Sequence, residues 1–464
     1  MTSSADPVPS ADDGAAPGAA PGGPVFSSRW ERRRAVTSWA LWDWGSAAFN
    51  AVIVTFVFSP YLVSGVAADE TTGSEQLGYA LSIAGFVIAV VAPAVGTRAD
   101  VAGRHRFWLG FHTVVIAACM AGMFFVQDSP EYLLLGLILM GVGSVFFEFA
   151  EVSYNGMLVR LTTAKDFGKV SGFGWGMGYI GGLVLLVLLL VTVISPEVGL
   201  FGVTDEDGAR YRMVALLAAV WFAVFAVPVL IWGPKAPPRL PAAHAARATG
   251  IVAGVRAFLS DYKRLIARLV QMFRTERRTL HFFLAAAIYR DGLAAIFAFA
   301  GVLAAGSYGF SSSEVIVLGV AANVVAGIGS ILAGWVDDRL GSKTVIVVGL
   351  VALIVMALPI AFSDSHAVFW ACAMVLSFFV GPVQASSRTF LARITVPGRE
   401  GENFGLYATT GRAVSFLGPF MFAAAISLLG FQRAGALGIA LVLLVGLLIV
   451  LPIRPPSRDG VQVP

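Results

Sequence analysis

Seven ionisable side chains sit inside stretches that are otherwise apolar: Asp43, Glu148, Glu151, Arg290, Asp291, Arg388 and Arg412. A charge at membrane depth costs at least about 2.5–3.5 kcal/mol on insertion scales, so such residues face a protein interior or a wet cavity and commonly serve function. In WALWDWGSAAFN, residues 39–50, Asp43, Ser46 and Asn50 recur at spacings of three and four, which puts them on one helix face with Trp42 and Trp44 beside the acid. That stripe suits a cavity wall where Asp43 takes a proton or a cationic group; the competing reading has Asp43 neutralising an arginine at the rim. Glu148, Glu151, Tyr154 and Asn155 share a second face, late in their apolar run. Two carboxylates one turn apart in a low dielectric repel each other, which suits proton coupling. The alternative is that both are solvated at a cavity mouth or paired with Arg160.

Arg290 and Asp291 fall about ten residues into their run, near a bilayer midplane at about 1.5 Å per residue, and point about 100° apart. Arg412 has similar depth, with Thr409 and Ser415 on its face; it either binds a carboxylate bidentately or bridges to Asp291. Gln384 and Arg388 share a face nearer the end of their run, where a long arginine can snorkel, so this pair reads as structural. Asn323, Trp175 and Tyr179 are further candidates for a cavity wall. Gly174, Gly178 and Gly182, spaced by four, allow two membrane helices to approach closely.

The elements that must position these groups follow from composition. Of 464 residues 57% are hydrophobic and 13% charged, with mean hydropathy +0.80, against about 25% charged in a soluble domain. A bilayer core about 30 Å thick needs about 20 helical residues per crossing. Twelve runs meet that length, at 36–64, 76–97, 106–126, 132–158, 170–195, 211–232, 280–305, 314–336, 344–362, 367–392, 403–429 and 434–453. Continuous apolar runs fit helices and not the alternating strands of a barrel, so the predicted fold class is an all-α integral membrane protein.

Basic residues gather on alternate loops, as at Arg32 to Arg34, Arg104 and Arg106, and Arg160 and Lys165, while the opposite loops are acidic, as at Asp205 to Asp207. This asymmetry orients both termini to the cytoplasm and accounts for the formal net charge of +4 without invoking nucleic acid. The expected divisions are a disordered arm over 1–35, six helices over 36–232, a linker over 233–279 with an in-plane amphipathic helix at 251–273, six helices over 280–453, and a tail over 454–464. Cys119 and Cys372 lie inside runs and read as packing residues. With no zinc-spaced His and Cys, phosphate-cradling loop or nucleophile elbow, no metal, cofactor, ATP-driven step or enzyme activity is expected.

An internal repeat supports the six-plus-six division. GTRADVAGRHR at 96–106 and GWVDDRLGSK at 334–343 each set a glycine, an acid four residues on and a second glycine three later before basic residues. The residues concerned are Gly96, Asp100, Gly103 and Arg104 in one copy, and Gly334, Asp338, Arg339 and Gly341 in the other. Each copy reads as a tight turn whose acid pairs with an arginine or a neighbouring helix N-terminus, forming a conformational latch. Twelve spans in two repeats with this signature resemble the major facilitator superfamily. WDWGSAAFN, GKVSGFGWGMGYIGG at 168–182, YRDGLAAIFAFAG at 289–301 and the stretch 384–419 resemble, more narrowly, its vacuole-effluxer family.

That resemblance implies a secondary transporter working by alternating access between two rocking halves. It further implies a small organic solute, amino acids foremost, moved outward. A proton gradient as the driving force and a monomer are expected, and the high Ala, Gly, Val and Arg content suggests a bacterial cytoplasmic membrane. An arginine, Arg290 or Arg412, near Asp43 and Asp291 suits a zwitterion. The alternatives are a proton-coupled exporter of lipophilic cations, and a non-transporting sensor or scaffold that uses the 251–273 helix.

Overall fold

The computed structural model describes residues 26 and 28–454, apart from 164, 235–266, 268–270, 275 and 397. Among them are twelve helices long and apolar enough to cross a membrane: α1 Arg29–Val66, α2 Glu75–Asp100, α3 His105–Phe125, α4 Pro130–Leu161, α5 Phe167–Ile194, α6 Glu206–Trp232, α7 Arg277–Tyr308, α8 Val317–Leu340, α9 Ser342–Phe362, α10 His366–Ile394, α11 Glu400–Leu429 and α12 Gln432–Val450. The arm over 1–25 and nearly all of the expected 251–273 helix lie outside the described residues.

The two sets of six pack alike. In the first, α1 lies against α5 and α6, α3 against α4 and α6, and α2 against α4; in the second, α7 lies against α11 and α12, α9 against α10 and α12, and α8 against α10. The halves meet along two matched seams, α2 on α11 and α5 on α8, which the repeat exchanges with each other.

Small residues explain how close the seams come. A Cβ on Gly96 would run into the Gly401 carbonyl, and one on Gly405 would lie 2.7 Å from that of Ala92. On the other seam, a Cβ on Gly172 would strike the Ser330 carbonyl, and Gly168 faces Gly334 in the same way. Gly78, Gly85 and Gly319, toward the opposite ends of α2 and α8, have nothing within 4 Å of a built Cβ. The halves are thus closed at the face that carries the repeat loops and apart at the other.

Two helices are irregular where it matters. α1 widens into a π-helical stretch over Ala48–Phe56. α11 breaks between Ala413 and Leu417. Pro419 supplies the reason: it lacks an N–H, and its ring collides with the carbonyl four residues back, so the first helix stops before it.

Candidate functional site

Trp39 and Trp42, both fully buried, stack on Tyr154 with ring centroids 4.4 Å away in each case. The Trp39 indole also donates to the Tyr154 carbonyl at 3.0 Å, and that of Trp42 to Thr113 Oγ1 at 3.1 Å. This clamp fixes the tyrosine so that its hydroxyl donates to Asp43 Oδ2 at 2.9 Å. Trp39 and Trp42 thus pin α4 to α1 and orient the acid.

Arg388, from α10 in the second half, reaches across into this group. Its Nη1 lies 3.6 Å from Asp43 Oδ2 and donates to Asn155 Oδ1 at 3.1 Å; Asn155 in turn donates to Glu151 Oε2 at 2.8 Å. Nε donates to Ser171 Oγ at 3.1 Å and Nη2 to the Ser171 carbonyl at 2.7 Å, while the guanidinium lies over the Trp39 ring, 4.9 Å from its centroid. The missing side chain at Gly174 makes this possible, because a Cβ there would fall 2.7 Å from Trp39 and 3.0 Å from Arg388. Arg388 therefore joins the halves and does not snorkel to a rim.

In front of this network opens a cavity of about 430 Å³, lined by Glu148, Glu151, Asn155, Trp175, Arg290, Gln384, Arg388, Phe404 and Tyr407 among others. Arg290 lies over the Tyr407 ring, 4.2 Å from its centroid. Arg412 bridges to Glu148 Oε2 at 2.8 Å, a second link between the halves. The lining thus brings together two acids, two arginines and aromatic faces.

Several expectations need correction. Glu148 and Glu151 line the central cavity instead of a mouth, and Arg160 pairs with Glu400 at 3.7 Å, not with them. Arg412 does not meet Asp291. Asp291 accepts the Gly418 N–H at 2.5 Å and so caps the second segment of the broken α11. Ser46 is buried and donates to the Asp43 carbonyl at 3.2 Å, whereas Asn50 is exposed, because the π-helical stretch alters the turn that would have kept it in line. Gly174, Gly178 and Gly182 do serve close helix packing as their spacing predicts, facing Trp39, Asp43 and Ala47 where α5 lies on α1 within one half. Gly168 and Gly172, on another face of α5, make the contact between halves, and sequence reasoning passed over them.

The repeat loops act as a matched pair. Asp100 accepts the backbone N–H groups of Gly401 and Glu402, each at 2.8 Å, at the start of α11. Asp338 accepts those of Gly168 and Lys169, at 2.7 and 3.0 Å, at the start of α5. Each half thus places a carboxylate on the helix N-terminus of the other, where the helix dipole favours negative charge. Gly103 and Gly341 end the preceding helices at φ 60° and 91°, a backbone conformation that suits glycine. Arg104 and Arg339 are exposed and lie outside these contacts. Arg393 of α10 holds Asp337 at 2.7 Å and Asp338 at 3.0 Å, and His105 stands against Asp100 at 2.9 Å.

This architecture, twelve membrane helices in two like halves around a charged central cavity, is that of a major facilitator transporter. It superposes on the proton:xylose symporter XylE bound to 6-bromo-6-deoxy-D-glucose with a TM-score of 0.70 at 13% identity, over 93% of this chain and 97% of that one. Residues 71–456 match the family described as "Vacuole effluxer Atg22 like", and the chain belongs to that family. It is 27% identical over 418 residues to the uncharacterized MFS-type transporter YxiO of Bacillus subtilis (strain 168), covering 89% of this chain and 93% of that protein. With autophagy-related protein 22-1 of Aspergillus fumigatus it shares 25% over 273 residues, 54% of this chain and 42% of the fungal protein. The chain is a multi-pass membrane transporter of the major facilitator type.

Proposed function

We propose that the protein exports a small zwitterionic solute, an amino acid or a close relative, in exchange for protons entering through the same central site. The observation that carries this reading is the Arg388 bridge, in which one residue of the second half binds Asp43, Asn155 and Ser171 of the first beside a cavity lined by both acids and arginines. Arg290 and Arg388 supply a positive wall for a carboxylate, and Glu148 and Glu151 a negative one for an ammonium. Two lining arginines weigh against a lipophilic cation as cargo, and charges joined across a moving interface weigh against a static scaffold.

The coupling follows from the same geometry. Alternating access requires Arg388 and Arg412 to leave their acidic partners as the halves rock. A proton on Asp43 or Glu148 removes the charge that holds the arginine, and a substrate carboxylate offers the arginine a replacement partner. Either event lowers the barrier to reorientation, which ties solute movement to proton movement. The effluxer family name supports an outward direction, and the basic loops support termini on the cytoplasmic side.

The test is flux of a radiolabelled amino-acid panel in proteoliposomes, with and without a pH gradient, for wild type, Asp43→Asn and Arg290→Gln. Wild type should move at least one member faster with the gradient. Asp43→Asn should lose that acceleration, and Arg290→Gln should raise the half-saturating concentration at least tenfold. Flux of lipophilic cations but of no amino acid, or gradient dependence unchanged in Asp43→Asn, would overturn the reading.

A further inference from the structure

Where the first repeat loop meets the start of α11, the latch acid Asp100 converges with two further buried side chains, His105 and Glu400. Asp100 is 4% exposed, His105 2% and Glu400 2%. A carboxylate oxygen from each acid and a ring nitrogen of the histidine all lie within 4.8 Å of one another. Asp100 and His105 belong to the first half and Glu400 to the second, so the cluster straddles the α2–α11 seam. Among the described residues neither ring nitrogen of His105 has a hydrogen-bond partner, nor does Glu400 Oε2; Oε1 of Glu400 is occupied by the Gly398 N–H at 2.8 Å. His105 Nε2 points at Asp100 Oδ1 from 2.9 Å without hydrogen-bond alignment. Buried polar atoms nearly always make hydrogen bonds, so a buried imidazole and a Glu400 oxygen that make none, converging with the Asp100 carboxylate, point to a ligand.

We infer that Asp100, His105 and Glu400 form a binding site for a divalent transition-metal ion that ties the two halves together at the closed face. One imidazole and two carboxylates, all buried, are a donor set for Zn²⁺, Mn²⁺ or Fe²⁺; the imidazole disfavours Mg²⁺ and Ca²⁺. The two N–H bonds that Asp100 accepts leave it ligating capacity, because a carboxylate has about four lone-pair sites. Ligands held about 2.0–2.2 Å from zinc lie roughly 3–3.5 Å apart, so three donor atoms already within 4.8 Å of one another need only a small inward movement. Arg160, 3.7 Å from Glu400 Oε2 and partly exposed, is the competing cation and must swing toward solvent as the metal enters. The ligands come from both sides of the seam, so the ion binds the closed arrangement and is released when α2 and α11 separate. It therefore acts as a brake on reorientation.

The inference stands apart from the identity of the solute, and its test needs none. The intact chain in detergent, stripped with a chelator and then freed of it, is titrated with Zn²⁺ by calorimetry, with Co²⁺ absorption as a report on ligand type. Wild type should bind one Zn²⁺ per chain and give a visible Co²⁺ spectrum. His105→Gln and Glu400→Gln should weaken binding at least tenfold and lose the spectrum, whereas Arg160→Gln should tighten binding at least threefold. The Arg160 arm keeps the test decisive even if the ligand variants fold poorly. Absence of stoichiometric binding to wild type, equal binding in His105→Gln, or unchanged affinity in Arg160→Gln would overturn the inference.

Discussion

At the scale of single residues, Arg388 carries the most. Its side chain is 5% exposed and that of Asp43 14%, so neither charge has water to fall back on. Removing one partner of a buried pair leaves the other desolvated and alone, at a cost on the order of 3 kcal/mol. Arg388→Gln is therefore expected to lower the unfolding temperature of the purified protein, and Asp43→Asn in the same chain to restore most of the loss without restoring transport. Thermal unfolding beside a flux assay checks both; if the double variant is no more stable than Arg388→Gln alone, the two residues are not coupled. Much of this site was legible in sequence, since Asp43, Glu151, Tyr154, Asn155 and Arg290 all show as polar positions in apolar runs. The position of Arg388 near the end of its run suggests a rim, whereas its guanidinium reaches inward past Gly174, a glycine that spacing alone ties only to packing. Asp291 differs from expectation for another reason: 403–429 reads as one continuous run, whereas Pro419 breaks α11 and frees the Gly418 N–H for the Asp291 carboxylate.

At the scale of helices, the seams govern movement. Gly96 and Gly172 each face a carbonyl of the opposite half, and an added methyl group must push two helices apart there. Overpacking of this kind costs typically 1–3 kcal/mol, and the cost falls only on the state in which the seam is closed. Gly96→Ala and Gly172→Ala should therefore favour opening at the face of the repeat loops by about tenfold or more. Gly85→Ala and Gly319→Ala, at positions with open space, should leave the equilibrium unchanged. Gln384→Cys in the cavity wall, in a background carrying Cys119→Ala and Cys372→Ala, reports the difference through its rate of alkylation from that face. Equal rates in all four variants would show that the glycines do not limit closure. Length and hydropathy suffice for the twelve helices, but α5 carries two glycine faces at the same four-residue spacing, Gly174, Gly178 and Gly182 on one and Gly168 and Gly172 on the other, and spacing does not tell which of them meets the second half. Sequence spacing shows that a helix can approach something closely, and only the packing shows what.

At the scale of the whole molecule, the two halves hold each other by the same device used twice. Asp100 caps α11 and Asp338 caps α5, so one operation exchanges donor and acceptor halves. A charge on a helix N-terminus contributes about 0.3–1 kcal/mol when exposed and up to about 2 kcal/mol when partly buried. Asp100→Asn and Asp338→Asn should each shift the equilibrium away from closure by about fivefold to thirtyfold, since an amide keeps the shape but not the charge. The two caps sit on different seams with no shared partner, so their effects on one rigid-body motion should add within about 0.5 kcal/mol. Alkylation of the same reporter cysteine in the single and double variants measures this directly. Additivity would mean that both seams open in one movement of rigid halves. A double variant no more open than either single would mean that releasing one seam already frees the other, so that the second latch contributes nothing once the first is lost. The repeat in the sequence announces that there are two latches, and the crossed pairing between halves is what makes their energies sum.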